Sequence, residues 1–523
     1  MPSYLSPGVY VEEVPSGSRP IEGVGTSVAA FVGLAEKGPF HTPTLVTTWS
    51  QYVQVFGDVV EGAYLGRAVY GYFANGGGIC YVVRVGEQSP GNGQGRDRGD
   101  GAGKDGPRAL PAGEPAALGT FKVTALPASG GNITVEVTDA DADGAGEDRF
   151  RLLVHQNGTV VETYDVSSKK NTKAYVVTQV KERSRLITVE EAAPANALAR
   201  PAKQTVTLAT LATPAEVVPA ALSTEEYVGD PDARTGFGGL EAIDDITMVA
   251  VPDLMSGYEQ GLVSAEDVKA VQLAVISHCE QMGDRMALLD PLPEMTARQV
   301  LTWRQEEAGY DSKYAALYYP WIKVFDPATG QNRFMPPSGH VAGLWSRTDT
   351  ERGVHKAPAN EVVRGAIELQ NNVTKGEQDL LNPAGVNCLR AFPGRGIRVW
   401  GARTLSSDPA WRYVNVRRLF NYLEESILLG TQWVVFEPND ERLWGTIRRN
   451  ISAFLLEEWR RGALFGSSPA EAFYVKCDRE TNPPEVIDRG QVVCEIGICP
   501  VKPAEFVVFR LAQFSDSTSL VSE

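Results

Sequence analysis

Two aspartates are the residues in this sequence whose positions best suit catalysis. Asp253 follows the apolar run 246–251, and Asp290 follows the apolar run 286–289. Both runs are typical of buried strands, so the two carboxylates would end strands at one edge of a sheet, where α/β proteins hold their ligands. A carboxylate placed there can transfer protons. These residues support one hypothesis, an α/β hydrolase-like enzyme that uses Asp253 or Asp290.

No other pattern of reactive residues supports an enzyme. The sequence contains no P-loop, no H-E-x-x-H zinc motif and no G-x-S-x-G nucleophile elbow. The Gly-Ser-Ser-Pro-Ala run at 466–470 lacks the second glycine of that elbow. Asp244 and Asp245 form a carboxylate pair, but their place just before an apolar run favours a solvated turn. The motifs therefore predict neither a catalytic site nor a cofactor.

The cysteines and histidines are scattered along the chain. No two cysteines form a C-x-x-C pair, and the histidines are too few and too dispersed for a metal centre. This distribution favours reduced structural thiols over a disulfide or a metal site. The cysteines are Cys80, Cys279, Cys388, Cys477, Cys494 and Cys499.

Composition bounds the class of protein. The chain has 523 residues, 43% of them hydrophobic, which predicts a globular protein of about two to four domains. A net charge of −16 argues against nucleic acid as a partner, because phosphate binding needs a basic face. No apolar run reaches the roughly 18 residues that span a bilayer, and residues 1–20 do not resemble a Sec signal. We expect no membrane insertion and, if the protein reaches the outside of a cell, a route other than Sec export.

Alternating strand and helix patterns at 22–86 and 236–384 predict an α/β core with an open, mixed sheet. Residues 1–21 precede it as an extended arm, because four prolines exclude a helix. The stretch 9–14, Val-Tyr-Val-Glu-Glu-Val, has strand propensity. The arm is either a frayed terminus or a strand donated to another subunit.

Residues 87–235 interrupt the core. The glycine-rich stretch 87–118 is typical of a flexible linker, and from there to about 213 the sequence alternates like strands, including the stretch 175–180. Asn157-Gly158 predicts a hairpin turn. We expect an inserted all-β outer domain.

Residues 385–514 predict a C-terminal α/β domain, followed by a polar tail at 515–523. Apolar residues at helical spacing indicate helices at 413–429 and 439–461, with a strand at 433–436 between them. Arg417 and Arg418 fall off the apolar stripe and are predicted on a solvated face. The run 504–514 predicts a terminal strand with apolar residues on both faces, whose edge could pair with another chain.

Several of these segments together resemble the contractile tail sheath family, found in contractile phage tails, R-type bacteriocins and phage-tail-like injection systems. The resemblance covers roughly 1–85 and 240–514. It rests on segments at 4–14 (Tyr-Leu-Ser-Pro-Gly-Val-Tyr-Val-Glu-Glu-Val), 352–360, 400–404 (Trp-Gly-Ala-Arg-Thr), 416–418, 436–439 (Phe-Glu-Pro-Asn), 462–466, 470–473 and 503–506 (Pro-Ala-Glu-Phe).

The resemblance implies a structural subunit, not an enzyme. Sheath subunits stack as hexameric rings in a helical lattice around an inner tube, in a high-energy extended state, and contract to drive the tube outward. Implied partners are other copies of the chain, the inner tube protein, and baseplate and tail-terminator or cap proteins. A phage-free injection system is favoured, a contractile phage tail is the first alternative, and the hydrolase-like enzyme is the second.

The resemblance also implies two sets of functional residues. Arms at both ends pair with strands of neighbouring subunits, and a helical element of the C-terminal domain faces the tube. The expected arm residues are Tyr4, Val9, Tyr10, Val11, Val14, Phe506, Val507, Val508, Phe509 and Leu511. The expected tube-contacting residues are Glu457, Glu458, Arg460, Arg461 and Glu471.

Overall fold

The computed structural model describes residues 20–86, 116–125, 133–140, 148–156, 159–184, 186–192, 198–208, 223–326 and 330–511. The predicted arm residues Tyr4, Val9, Tyr10, Val11 and Val14, most of the linker and the tail at 515–523 lie outside these ranges. The chain forms two compact units, one of residues 1–89 and 219–523 and one of residues 90–218.

The first unit begins with one half of an α/β core. Gly57 ends the first helix of this half, and the Asn-Gly-Gly-Gly run at 75–78 separates the second helix from the strand that follows. The elements are β1 (Val28–Gly33), β2 (Thr44–Val46), α1 (Trp49–Phe56), α2 (Leu65–Ala74) and β3 (Ile79–Arg84).

The elements of the inserted unit are β4 (Ala116–Leu118), β5 (Phe121–Ala125), β6 (Ile133–Thr138), β7 (Arg149–Gln156), β8 (Thr159–Ser167), α3 (Val176–Arg183), β9 (Ile187–Glu191) and β10 (Thr205–Leu208). They form two antiparallel sheets, with strand orders β4-β5-β9 and β10-β6-β7-β8, around an apolar core of their own. The predicted hairpin pair is present as β7 and β8, although the turn at 157–158 is outside the described residues.

Two predictions about the insertion are wrong. The stretch 175–180 belongs to α3 and is not a strand, because Val176 and Val180, one helical turn apart, bury a single face. The unit is thus β-rich but not all-β. The insertion also ends before 235, since α4 (Thr224–Val228) buries Tyr227 in the core of the first unit.

The core then resumes with the elements β11 (Met248–Ala250), α5 (Asp253–Glu259), α6 (Ala265–Met282), β12 (Met286–Leu289), α7 (Ala297–Thr302), β13 (Ala315–Tyr319), β14 (Ile322–Asp326), β15 (Gln331–Met335), α8 (Ser338–Arg352), β16 (Ala366–Leu369), α9 (Lys375–Leu381), β17 (Val386–Phe392) and β18 (Gly396–Val399). They complete an eight-stranded sheet of order β18-β17-β13-β12-β11-β1-β3-β2. Its six inner strands are parallel, while β2 and β18 are antiparallel edges, so the predicted open, mixed sheet is confirmed.

The sheet corrects one boundary and one element. The predicted domain start at 385 falls inside the core, because β17 and β18 extend its sheet. The sequence also predicts a helix near 361–370, but these residues contain strand β16, which pairs with β14 in a separate three-stranded sheet.

The C-terminal part has its own apolar cluster, formed by two long helices and a β-hairpin. Its elements are α10 (Val414–Thr431), α11 (Glu441–Arg460), α12 (Pro469–Ala472), β19 (Phe473–Lys476), α13 (Pro484–Asp488) and β20 (Glu495–Ile498). The strand predicted at 433–436 is wrong. A 3-10 turn, Gln432–Val434, stands there, and Phe436 is exposed with a φ of 67°. That backbone conformation does not fit a strand.

The terminal strand predicted at 504–514 is also absent over its described part, since 501–511 has no regular secondary structure. A strand needs a partner edge, and no described strand pairs with these residues.

Candidate assembly surfaces

The two candidate catalytic aspartates hold loops together. The Asp253 carboxylate accepts backbone N–H bonds from Leu34 (2.6 Å), Leu65 (3.1 Å) and Tyr64, and Asp290 accepts the N–H of Ser338 (3.0 Å). Burial raises the pKa of Asp253 to about 6 and that of Asp290 to about 7. Both side chains are enclosed and already bonded to the backbone, so the geometry assigns them a structural role.

At the C-terminal end of the described chain, Glu505 is fixed to the core. Its carboxylate accepts two hydrogen bonds from Arg403 (2.7 and 2.8 Å), one from Asn382 (2.7 Å) and one from the Tyr413 hydroxyl (3.0 Å). Burial alone would raise the pKa of Glu505, but the bonds from Arg403 and Asn382 outweigh burial, and the pKa is lowered. We call residues 499–505 the C-terminal root.

Arg403 is itself held in place by the core sheet. Its backbone N–H donates to Asn387 Oδ1 (2.7 Å), and Asn387 Nδ2 donates back to the Arg403 carbonyl (2.8 Å). Asn387 lies in β17 and is fully buried. The ion pair between Arg403 and Glu505 therefore ties the root to a sheet strand. Sequence reasoning missed this pair, although each residue lies in a quoted motif and the two carry opposite charges.

Immediately after Glu505 the chain exposes an apolar row. The exposed fractions of its large apolar side chains range from 67% at Val507 to 98% at Leu511. Such continuous exposure of large apolar side chains is unusual for an isolated protein and typical of an interaction surface. All the expected C-terminal arm residues lie in this row, namely Phe506, Val507, Val508, Phe509 and Leu511.

The N-terminal root, residues 20–26, packs along α10. The Val24 N–H donates to Ser426 Oγ (3.1 Å), and Ile21 is buried against Gly430. A Cβ at Gly23 would lie 2.0 Å from the Tyr422 hydroxyl, so only glycine allows the chain to pass this close. The root is therefore fitted to the helix surface by its backbone.

A buried ion pair completes this contact. Arg418 donates to both carboxylate oxygens of Asp349 (2.9 and 2.5 Å) and to the Thr26 carbonyl (2.9 Å), while Thr26 Oγ1 donates to Asp349 (2.8 Å). Side chains of the pair are 3% and 4% exposed. Arg418 therefore links α10, α8 and the N-terminal root in a single hydrogen-bonded cluster.

The prediction that Arg417 and Arg418 face solvent is wrong. Arg417 is 2% exposed and lies over the rings of Trp411 (4.4 Å) and Tyr314 (4.9 Å). Stacking on rings and pairing with a carboxylate allow a guanidinium to be buried. Helical spacing alone cannot reveal these partners, because Trp411, Tyr314 and Asp349 all lie outside the helix.

Both roots contact helix α10. The C-terminal root contacts its start, where Tyr413 bonds Glu505 and Asn415 Nδ2 donates to the Val501 carbonyl (3.2 Å). The N-terminal root contacts its middle and end through Arg418 and Ser426. One helix thus carries the bases of both predicted arms.

The expected tube-contacting residues lie at the end of α11 and just beyond it. Glu457, Arg460, Arg461 and Glu471 are exposed, but Glu458 is not. Its carboxylate accepts hydrogen bonds from Tyr422 (3.1 Å) and Arg461 (2.9 Å) at 5% side-chain exposure. The prediction that Glu458 belongs to the tube-contacting residues is therefore wrong, because its carboxylate faces α10 and cannot form an external contact.

The remaining candidates are the adjacent aspartates and the residue types that bind metals. Asp244 and Asp245 form an exposed turn, as predicted. Within the residues that the structure describes, no group of three or more His, Cys, Asp or Glu side chains is arranged to hold a metal ion. No helix in that part of the chain is both long and apolar enough to cross a membrane.

Family models and relatives agree on one family. The model of the phage tail sheath protein central domain matches residues 240–405, and that of the phage tail sheath C-terminal domain matches residues 406–514. The tail sheath protein of Burkholderia phage BcepMu is 24% identical over 96% of this chain and 95% of its own length. The tail sheath protein of Vibrio phage KVP40 is 30% identical, over 40% of this chain and 31% of its own length.

Solved structures share the fold along the chain. The contracted helical sheath of the anti-feeding prophage is 23% identical with a TM-score of 0.59, covering 98% of this chain and all of that one. The contracted PVC sheath of an extracellular contractile injection system is 24% identical with a TM-score of 0.58, covering 98% and 99%. Since the two family models together span more than half of the sequence, the chain belongs to the phage tail sheath protein family.

Proposed function

We propose that this chain is the sheath subunit of a phage-tail-like contractile injection system. It polymerises around an inner tube in a high-energy extended state and contracts to drive the tube outward. The single observation that carries the proposal is the exposed apolar row at 506–511, which starts directly after the anchored Glu505. A segment fixed at its base and exposed along its length is suited to add a strand to the sheet of another copy.

Strand addition suits a lattice that must rearrange without falling apart. Main-chain hydrogen bonds supply the connection, and they require no particular side chain on the partner. The core can then rotate between two packing arrangements while the segments stay paired. The partners we propose are neighbouring copies in stacked hexameric rings, the inner tube protein, and baseplate and tail-terminator or cap proteins.

We place the tube contact at Glu457, Arg460, Arg461 and Glu471. Ion pairs between exposed groups contribute only about 0–1 kcal/mol each, which suits a surface that must release when the sheath contracts. Reversing the charges at Glu457 and Arg460 should abolish co-sedimentation with tube protein while self-assembly persists. If tube binding survives both reversals, the contact lies elsewhere.

Electron microscopy of the purified chain tests the self-assembly. We expect the unaltered chain to form striated tubes, and Val507→Asp to stay monomeric because a charge in a paired strand blocks burial. Val161→Asp, at an exposed valine of the inserted unit, is the matched control and should still assemble. Striated tubes from Val507→Asp, or from a chain lacking residues 1–20, would refute the corresponding arm.

A contractile bacteriophage tail is the alternative, supported by the likeness to the BcepMu tail sheath protein along nearly the whole chain. Micrographs of the parent particle separate the two, since a phage carries a capsid and a phage-free system does not. Whether such particles act from the cytoplasm or after release follows from the fraction in which they are recovered.

A further inference from the structure

The hairpin before the C-terminal root brings two cysteines face to face. Strands β19 and β20 pair antiparallel from Phe473 opposite Ile498 to Lys476 opposite Glu495. One step further along the same register, Cys477 stands opposite Cys494. Directly opposed residues of an antiparallel pair project to the same face, so the two side chains are neighbours there, and each thiol shifts the pKa of the other.

The position suits a covalent bond. The Cys499 N–H donates to the Ala472 carbonyl (2.8 Å), which marks those opposed residues as a hydrogen-bonded pair. Such pairs alternate with non-hydrogen-bonded pairs along an antiparallel ladder, so Cys477 and Cys494 occupy a non-hydrogen-bonded site. Cα atoms at such sites are about 4.5 Å apart. Disulfides bridge Cα atoms about 4.4–6.8 Å apart.

Asn482 fixes the loop end of this hairpin beside the cysteines. Its Nδ2 donates to the Val493 carbonyl (2.9 Å) and contacts the Cys477 sulfur (3.8 Å), and its Oδ1 accepts the Val493 N–H (2.7 Å). Val493 directly precedes Cys494. The backbone is thus held in register beside the cysteine pair.

We propose that Cys477 and Cys494 are a modification site, where a small-molecule disulfide oxidant forms a reversible intrachain disulfide. The thiolate of Cys494, the more accessible of the two, attacks one sulfur of the oxidant and releases the first thiol. The thiolate of Cys477 then attacks the Cys494 sulfur and releases the second thiol. Two protein thiols are oxidised, one oxidant disulfide is reduced to two thiols, and both protons pass to solvent or to the released thiolates.

Burial controls how fast this happens. It raises the pKa of the Cys477 thiol and raises that of Cys494 to about 12, so thiolate is scarce at neutral pH and oxidation accelerates as pH rises. The charged groups facing the pair are Arg448 from α11, which donates to the Cys477 carbonyl (2.9 Å), together with Asp478 and Glu495.

The bond would close the loop 478–493 at the base of the hairpin. Strand β20 continues directly into the C-terminal root, so the disulfide would fix the element from which that root departs. The chemistry does not depend on the proposed function. In a released particle, however, the site would meet the oxidising conditions in which disulfides persist.

Peptide mapping tests the proposal. The full chain with Cys499→Ser, which removes an exposed thiol from the same tryptic peptide, is treated with oxidised glutathione at alkaline pH and digested without reduction. We expect residues 477–479 to be linked to residues 490–510, with a higher melting temperature that a dithiol reductant reverses. Adding Cys477→Ser should instead leave a stable glutathione adduct on Cys494.

Two results would overturn the site. One is a lasting glutathione adduct on Cys494 with Cys477 still free in the Cys499→Ser chain. The other is a linked peptide that forms only after denaturation, because the native register would then not bring the sulfurs together.

Discussion

The two roots are held by the same chemistry in different surroundings. Arg418 and Asp349 hold the N-terminal root with side chains 3% and 4% exposed, whereas Arg403 and Glu505 hold the C-terminal root with 11% and 18% exposed. An ion pair shut away from water cannot be broken without leaving an unpaired charge in the interior. A pair that water can reach opens at a lower cost. The N-terminal root is therefore part of the fold, and the C-terminal root is a latch on it.

The largest effect is expected from Asp349→Ala, which removes the carboxylate of the buried ion pair at the N-terminal root. Removing the carboxylate leaves Arg418 buried without its anion, and we expect a loss of about 3–5 kcal/mol in the free energy of unfolding. Chemical denaturation of the full chain measures it. Replacing both partners, Asp349→Leu with Arg418→Met, should recover most of that loss, because no charge remains unpaired. A cost below about 1 kcal/mol for the single variant would place the pair in solvent.

A smaller effect is expected from Glu505→Gln. The variant loses the charge that Arg403 pairs with, and we expect a cost of about 1–2 kcal/mol with the fold intact. Backbone amides at 501–505 should exchange with deuterium faster, while those of α10 keep their protection. Glu495→Gln, an exposed carboxylate on β20, is the matched control and should leave both regions unchanged. Equal loss of protection in α10 would mean that the latch and the fold are one unit.

Acid should release the latch by itself. The pKa of Glu505 lies below its ordinary value of 4.5, so the stabilisation is complete above that pH and disappears as pH falls through the lowered pKa. Exchange at 501–505, corrected for the intrinsic pH dependence, should stay constant from neutral pH down to about 4.5 and rise below it. The Glu505→Gln chain should show no such step. A step of the same size in that variant would assign the titration to another carboxylate.

The smallest effect on the monomer is expected from Val507→Asp. The side chain is exposed in the single chain, so the free energy of unfolding should change by no more than about 0.5 kcal/mol. Denaturation of the monomer checks this. A larger cost would show that the row at 506–511 packs against its own subunit, and the contrast between the two roots would weaken.

The sequence could predict what local periodicity records. Helices α10 and α11 follow their apolar spacing, and the alternation of strands with helices leads to the mixed sheet. It could not predict which charges turn inward. Glu458 accepts hydrogen bonds from Tyr422 and Arg461. Arg418 bonds Asp349 and lies over the ring of Trp345, which is 73 positions away in the chain.

The strand predicted at 433–436 and the described part of the strand predicted at 504–514 are absent from the single chain for the same reason. Both stretches have apolar composition suited to strands, but a strand also requires an edge to pair with, and composition does not reveal whether one is present. The sequence could not predict which of the candidate tube-contacting side chains are exposed. Which of their carboxylates face outward depends on how α11 packs against α10.

Helix α10 has a mechanical consequence. If neighbouring subunits pull on the two terminal segments, the load enters at Asn415 and Ser426 and travels along roughly 16 Å of a single helix. The helix would then transmit tension from one terminal segment to the other, while Arg403 would pass part of the load from Glu505 to Asn387 in the sheet.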